Sequence, residues 1–175
     1  MTRNGKYIIV GCEDTSVLVM DIETGKISSI FRHVHEKKIT SLAITSDNRY
    51  LVTGSFDGSV GLIDLEKKEH FHSYENAHMG TVTSASLSCD NTSIMTASHD
   101  GVLQIIHLMK KELVGAIEHV HKGGIDAMTL SKDNRYIISG SYDGSITVSE
   151  IETRARIHCF LRAHERWFFS DEESF

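Results

Sequence analysis

The chain has no surplus of basic residues: 18 lysines and arginines stand against 24 aspartates and glutamates, a net charge of -6. Nucleic acid and anionic lipid are drawn by clustered positive charge, so neither is an expected partner. Cysteine is scarce as well. Cys12, Cys89 and Cys159 are odd in number and far apart, with no C-x-x-C pair, which argues against a disulfide frame and fits free thiols in a reducing compartment. No apolar run approaches the roughly 18 residues that cross a bilayer. Met1 leads into Thr-Arg-Asn-Gly-Lys, which is no signal peptide. A soluble, cytoplasmic protein is the expectation. At 175 residues and 40% hydrophobic content it is long enough for one globular unit.

What the sequence does have is a beat. His35, His78, His121 and His164 are spaced by 43 residues, and Asp14, Asp57, Asp100 and Asp143 keep the same step. A third series, Asp47, Asp90 and Asp133, repeats it, each member followed by asparagine. Three series in one phase, with no insertion between units, point to duplication.

Within each unit, short β-branched or apolar runs are separated by turn residues about ten apart, which predicts strands and disfavours helix. In the second unit, 38–44 reads as a strand, Ser46-Asp47-Asn48 as a turn and Tyr50 to Ser55 as the next strand. Phe56-Asp57-Gly58 then forms a tight turn, Val60 to Leu65 a third strand, and a fourth follows Lys67-Lys68-Glu69. The Asp-Gly pairs at 57–58, 100–101 and 143–144 are strong hairpin signals because glycine accepts the positive φ of such turns; Asp14-Thr15 is a weaker version. Val60 and Leu62 match Val17 and Val19, Leu103 and Ile105, and Ile146 and Val148 at period two. Ile39, Leu42 and Ile44 are matched by Val82, Ala85 and Leu87 and by Ile125, Met128 and Leu130. Both faces of each small sheet are expected to be buried against neighbours.

Four antiparallel strands (a to d) in a unit of about 40 to 45 residues, a histidine before strand a and an aspartate between b and c resemble the WD-repeat family. The resemblance covers residues 7 to about 165 and implies an all-β propeller of about four four-stranded blades, incomplete or part of a larger ring. The units are 1–32 (partial), 33–75, 76–118, 119–161, and 162–175 as the start of a further strand a with an acidic tail. It further implies structural pairs His35 with Asp57, His78 with Asp100 and His121 with Asp143. The hydroxyl in each would come from Thr53 or Ser55, Thr96 or Ser98, and Ser139 or Ser141. Antiparallel geometry supports the pairing, since the b–c turn and the d–a loop lie at the same end of a meander. Asp14 lacks an upstream histidine and His164 a downstream aspartate.

The departures are clear. The family's strand-c tryptophan is replaced by Met20, Ile63, Ile106 and Ser149, and the aspartate after it survives only at Asp21 and Asp64, becoming His107 and Glu150. Gly-His becomes Val34-His35, Ala77-His78, Val120-His121 and Ala163-His164. Without the indole N–H each hydrogen-bonded chain is expected to stop at the hydroxyl. The chain starts in mid-blade, and Trp167 to Phe169 falls in phase with a further strand a. Closure by that segment into a ring of four, a fragment, and assembly as a homodimer or with another propeller are all open alternatives.

The H-x-H pairs His33/His35, His70/His72 and His119/His121 raise metal binding, but His35 and His121 are taken by the periodic series and no third ligand recurs, so no metal and no cofactor are expected. Asp/His/Ser sets that recur in every unit argue for structure over catalysis, which needs one such set. The expected function is a non-catalytic scaffold for other proteins or peptides, the alternative a purely structural segment of a larger assembly. Phe56, Met79, His99 and Tyr142 are the candidate protein-binding residues. Aromatics in an exposed turn suit interface anchors, the competing reading being that they pack on the next blade.

Overall fold

Alternating aliphatic residues with turn residues every ten or so positions leave the backbone little choice but short antiparallel strands. A computed structural model describes residues 1–161, and within them every regular element is a strand. The first sheet holds β1 (Tyr7–Gly11), β2 (Val17–Asp21) and β3 (Ile27–Phe31). The second holds β4 (Ile39–Ile44), β5 (Tyr50–Ser55), β6 (Val60–Asp64) and β7 (Glu69–Tyr74). The third holds β8 (Val82–Leu87), β9 (Ser93–Ser98), β10 (Leu103–His107) and β11 (Glu112–Ile117), and the fourth β12 (Ile125–Leu130), β13 (Tyr136–Ser141), β14 (Ile146–Glu150) and β15 (Ala155–Phe160). Each sheet is an antiparallel meander in chain order. His164 and the expected strand around Trp167 to Phe169, with the ring closure built on it, lie outside the described residues.

The tight turns follow from backbone chemistry. Gly58, Gly101 and Gly144 take φ of 86°, 79° and 80° after their aspartates, and Thr15 is forced to 72° at the equivalent place. A β-branched residue there is strained, which is the physical content of the weaker Asp-Thr signal.

The apolar core lies between sheets. Val52, Val60 and Leu62 of the second sheet pack against Val82, Ile94 and Ile106 of the third; Met95, Leu103 and Ile105 of the third pack against Ile125, Met128 and Ile137 of the fourth. Val17, Val19 and Phe31 of the first meet Leu51 and Ile63 of the second. Ile63 and Ile106, standing where the family has tryptophan, are 0% exposed, and each fully buried aliphatic side chain contributes roughly 1.5 to 3 kcal/mol. Ser149 occupies the same place in the fourth sheet, and its hydroxyl is buried without a hydrogen-bond partner among the described residues.

Strand a carries a bulge at each repeat, between Ile39 and Ser41, Val82 and Ser84, and Ile125 and Ala127. The extra residue puts Ile39 and Leu42, three apart, on one face. The bulged Thr40 and Thr83 send their hydroxyls to the carbonyls of Val82 and Ile125 on the next sheet, at 2.5 and 2.8 Å. The Asp-Asn turns also join sheets. Asn48, Asn91 and Asn134 sit at positive φ, where their Oδ1 atoms accept from the amides of Arg3, Ser46 and Cys89 at 2.6, 2.9 and 3.0 Å.

Candidate functional site

At one end of the stack, each b–c turn meets the d–a loop that precedes its own sheet. Asp57 Oδ2 accepts from the backbone amides of Glu36 and Lys37 at 2.8 and 3.1 Å, Asp100 Oδ2 from that of Met79 at 2.9 Å, and Asp143 Oδ2 from that of Lys122 at 2.8 Å. The carboxylates therefore hold the loops that carry the exposed side chains of this end.

The histidines lie beneath, buried in all three sheets. His78 Nδ1 is 3.2 Å from Asp100 Oδ2, with Thr96 Oγ1 2.8 Å from Nε2. His35 and His121 are arranged differently. Ser59 Oγ stands 2.5 Å from His35 Nδ1 and donates to Asp57 Oδ1, and Ser145 Oγ, 2.7 Å from His121 Nδ1, donates to Asp143 Oδ1. His121 Nδ1 and Asp143 Oδ1 are 3.8 Å apart, outside hydrogen-bond range, so the contact runs through the serine. The direct imidazole–carboxylate contact expected in each unit is made only in the third sheet among the described residues, where Val102 replaces the serine and supplies no hydroxyl to interpose. The Asp-x-Ser signal at 57/59 and 143/145 was present in the sequence.

Of the two hydroxyls open in each unit, Thr53, Thr96 and Ser139 face the imidazole Nε2, at 2.6, 2.8 and 2.8 Å. Ser55, Ser98 and Ser141 instead accept from the amides of Asp57, Asp100 and Asp143 at 3.2, 3.1 and 3.1 Å. With Ser59 donating to Asp57, His35 donates from Nδ1 to Ser59, and Thr53 Oγ1 lies against Nε2. Burial lowers the pKa of His35 to about 4 against the opposing pull of Asp57, and burial lowers that of His121 too. For Asp100, burial alone would raise the pKa; the hydrogen bonds from His78 and from the amides of Val102 and Met79 outweigh it and hold the value at about 2.

The other candidate metal-pair histidines point elsewhere. His70 Nε2 lies 3.0 Å from the His72 carbonyl and 2.9 Å from Ser73 Oγ, the His72 ring packs edge-on to Tyr74, and His33 and His119 are exposed at positive φ. Among the described residues, no three His, Cys, Asp or Glu side chains converge in a way that could hold a metal ion.

Phe56, Met79 and Tyr142 stand at the loop end with 47%, 100% and 58% of their surface exposed, and His99 is exposed beside them. Gly58 accepts at its carbonyl from the amide of His78, so the turn carrying Phe56 abuts the loop carrying Met79. The His99 and Tyr142 rings are 5.2 Å apart. Sequence reasoning missed Lys37 and Lys38, whose Nζ atoms sit 5.5 and 5.4 Å from the Phe56 ring centroid, and Asp126, whose carboxylate pushes the Tyr142 pKa up.

No curated protein matches the chain. The family described as WD domain, G-beta repeat, matches residues 25–64, 69–107 and 113–148, about two thirds of the chain. Each match begins at the outer strand of one sheet and runs through three strands of the next, so the sequence repeat straddles the sheet boundary. With three such repeats, laid over sheets that stack as blades do, the chain belongs to the WD-repeat family of β-propellers.

Proposed function

We propose that the chain is a non-catalytic scaffold that binds other proteins through the loop end carrying Phe56, Met79, His99 and Tyr142. The observation that carries this reading is the division of labour at that end: the aspartates are turned onto backbone amides while bulky apolar and aromatic side chains are left to solvent. Repeats of this family generally mediate contacts between proteins, and partly desolvated aromatics are the side chains that anchor such contacts. The His/Asp sets support the non-catalytic reading. They recur from sheet to sheet with their ring nitrogens already engaged, as structural elements do. Quantitative pull-down of the proteins bound by the wild type and by a Phe56→Ala/Tyr142→Ala variant tests the surface. Loss of those proteins with an unchanged melting temperature is the expected outcome; retention of all of them removes the surface from consideration.

A second reading, association of the outer sheets with another propeller or a second copy, is favoured by their uncovered apolar residues. Ile8, Val10 and Ile30 on the first sheet and Phe160 on the fourth are all exposed among the described residues.

A further inference from the structure

The loop end has a polarity. Lys37 and Lys38 both hold their ammonium groups by the Phe56 ring, and neither has a carboxylate oxygen within 4.0 Å among the described residues. Two free cations at one aromatic ring stand out on a chain of net charge -6. Like charges brought to one ring repel each other, and an incoming anion relieves that repulsion while keeping the cation–ring contact. From Phe56 the surface continues through the abutting loop with the fully exposed Met79 to His99, and from His99 to Tyr142. There it ends at Asp126, the bulge residue of β12 next to the Ile125–Ser141 pair, whose carboxylate pushes the Tyr142 pKa up. The order is cation pair, apolar and aromatic stretch, anion.

We propose that this stripe takes an extended acidic peptide segment of a partner protein, with an Asp or Glu carboxylate over Lys37 and Lys38 and apolar side chains on Phe56, Met79 and Tyr142. This rests on the reading of the loop end as the binding surface. Asp126 at the far end repels a second acid there, so the charge pattern sets the direction in which the segment lies. Lysine offers a point charge without the planar fork of arginine, which suits a single carboxylate whose position is set by the neighbouring apolar contacts.

The test uses the full chain and two fluorescent peptides that share one apolar core, flanked on one side only, by glutamates in one and by lysines in the other. Fluorescence anisotropy is expected to show the glutamate-flanked peptide binding about tenfold more tightly, with an affinity that falls as salt is added. Lys37→Glu/Lys38→Glu is expected to reverse the preference without moving the melting temperature, both side chains being exposed. Phe56→Ala/Tyr142→Ala is expected to weaken both peptides alike. Equal affinity of the two peptides for the wild type, no binding of the glutamate-flanked one, or a preference that survives charge reversal would overturn the proposal. If the aromatic variant loses binding while charge reversal changes nothing, the acidic segment is wrong and the binding surface stands.

Discussion

At the scale of the residue, His35 is a buried imidazole kept neutral by its surroundings. Its Nδ1–H is spent on Ser59, its Nε2 faces the Thr53 hydroxyl, and burial holds its pKa near 4. A folded-state value below the ordinary 6.5 means that folding favours the neutral ring. The stabilisation is complete above the ordinary value and is lost as pH falls through the window down to about 4. We expect the melting temperature to drop across that window, with a loss on the order of 3 kcal/mol from this group. His35→Asn should be less stable at neutral pH and should show a shallower slope; matching slopes in wild type and variant would show that His35 is not the titrating group. The lowered carboxyl of Asp100 acts further down, its contribution being lost only as pH falls toward about 2. The periodic histidines and aspartates could be read from spacing alone, because each stands one step of 43 from its counterpart. The serine between them could not, since a period identifies equivalent positions and says nothing about which atom fills the gap between two side chains.

At the scale of the element, inter-sheet packing hinges on one small residue in strand b. A Cβ placed on Gly11 would lie 2.5 Å from Ile39 Cγ2, and one on Gly54 would lie 2.5 Å from Val82 Cγ1, whereas one on Gly140 meets nothing within 4 Å among the described residues. In the two filled cases the β-branched residue that opens strand a of the next sheet occupies the space a side chain would need. Gly54→Ala is therefore expected to destabilise by about 1 to 3 kcal/mol. Gly140→Ala, at an unstrained backbone position with no described residue in the way, should be neutral or stabilising by up to about 1 kcal/mol through the unfolded chain. Denaturant midpoints of the two variants decide this, and equal shifts would mean that the socket at Gly54 has no energetic weight. Sequence periodicity placed the strands nearly where they lie: the fourth strand of the last unit, expected over 156–161, is Ala155–Phe160. The bulges were legible only as a step of three between Ile39 and Leu42, an irregularity whose cause appears once the strands are paired.

At the scale of the whole molecule, the sheets touch mainly their neighbours in chain order, so stability is distributed as a sum of unit and interface terms. Strands β5 and β9 are covered on both sides and almost wholly buried, while all six residues of β15 are exposed. Amide hydrogen exchange should be slowest in β5 and β9 and fastest in β15; protection of β15 equal to that of β9 would contradict this distribution. The sequence by itself determined the unit length, the strands, the hairpin turns and the end of the sheets at which histidine and aspartate meet, because these depend on residue spacing and local backbone preference. Tertiary structure alone decided that Ser59 and Ser145 carry two of the three contacts, that Asn48, Asn91 and Asn134 latch one sheet to the next, and that two lysines converge on Phe56. Those contacts depend on distances of a few ångströms set by twist, bulge and inter-sheet packing, and the repeat period carries no information at that resolution.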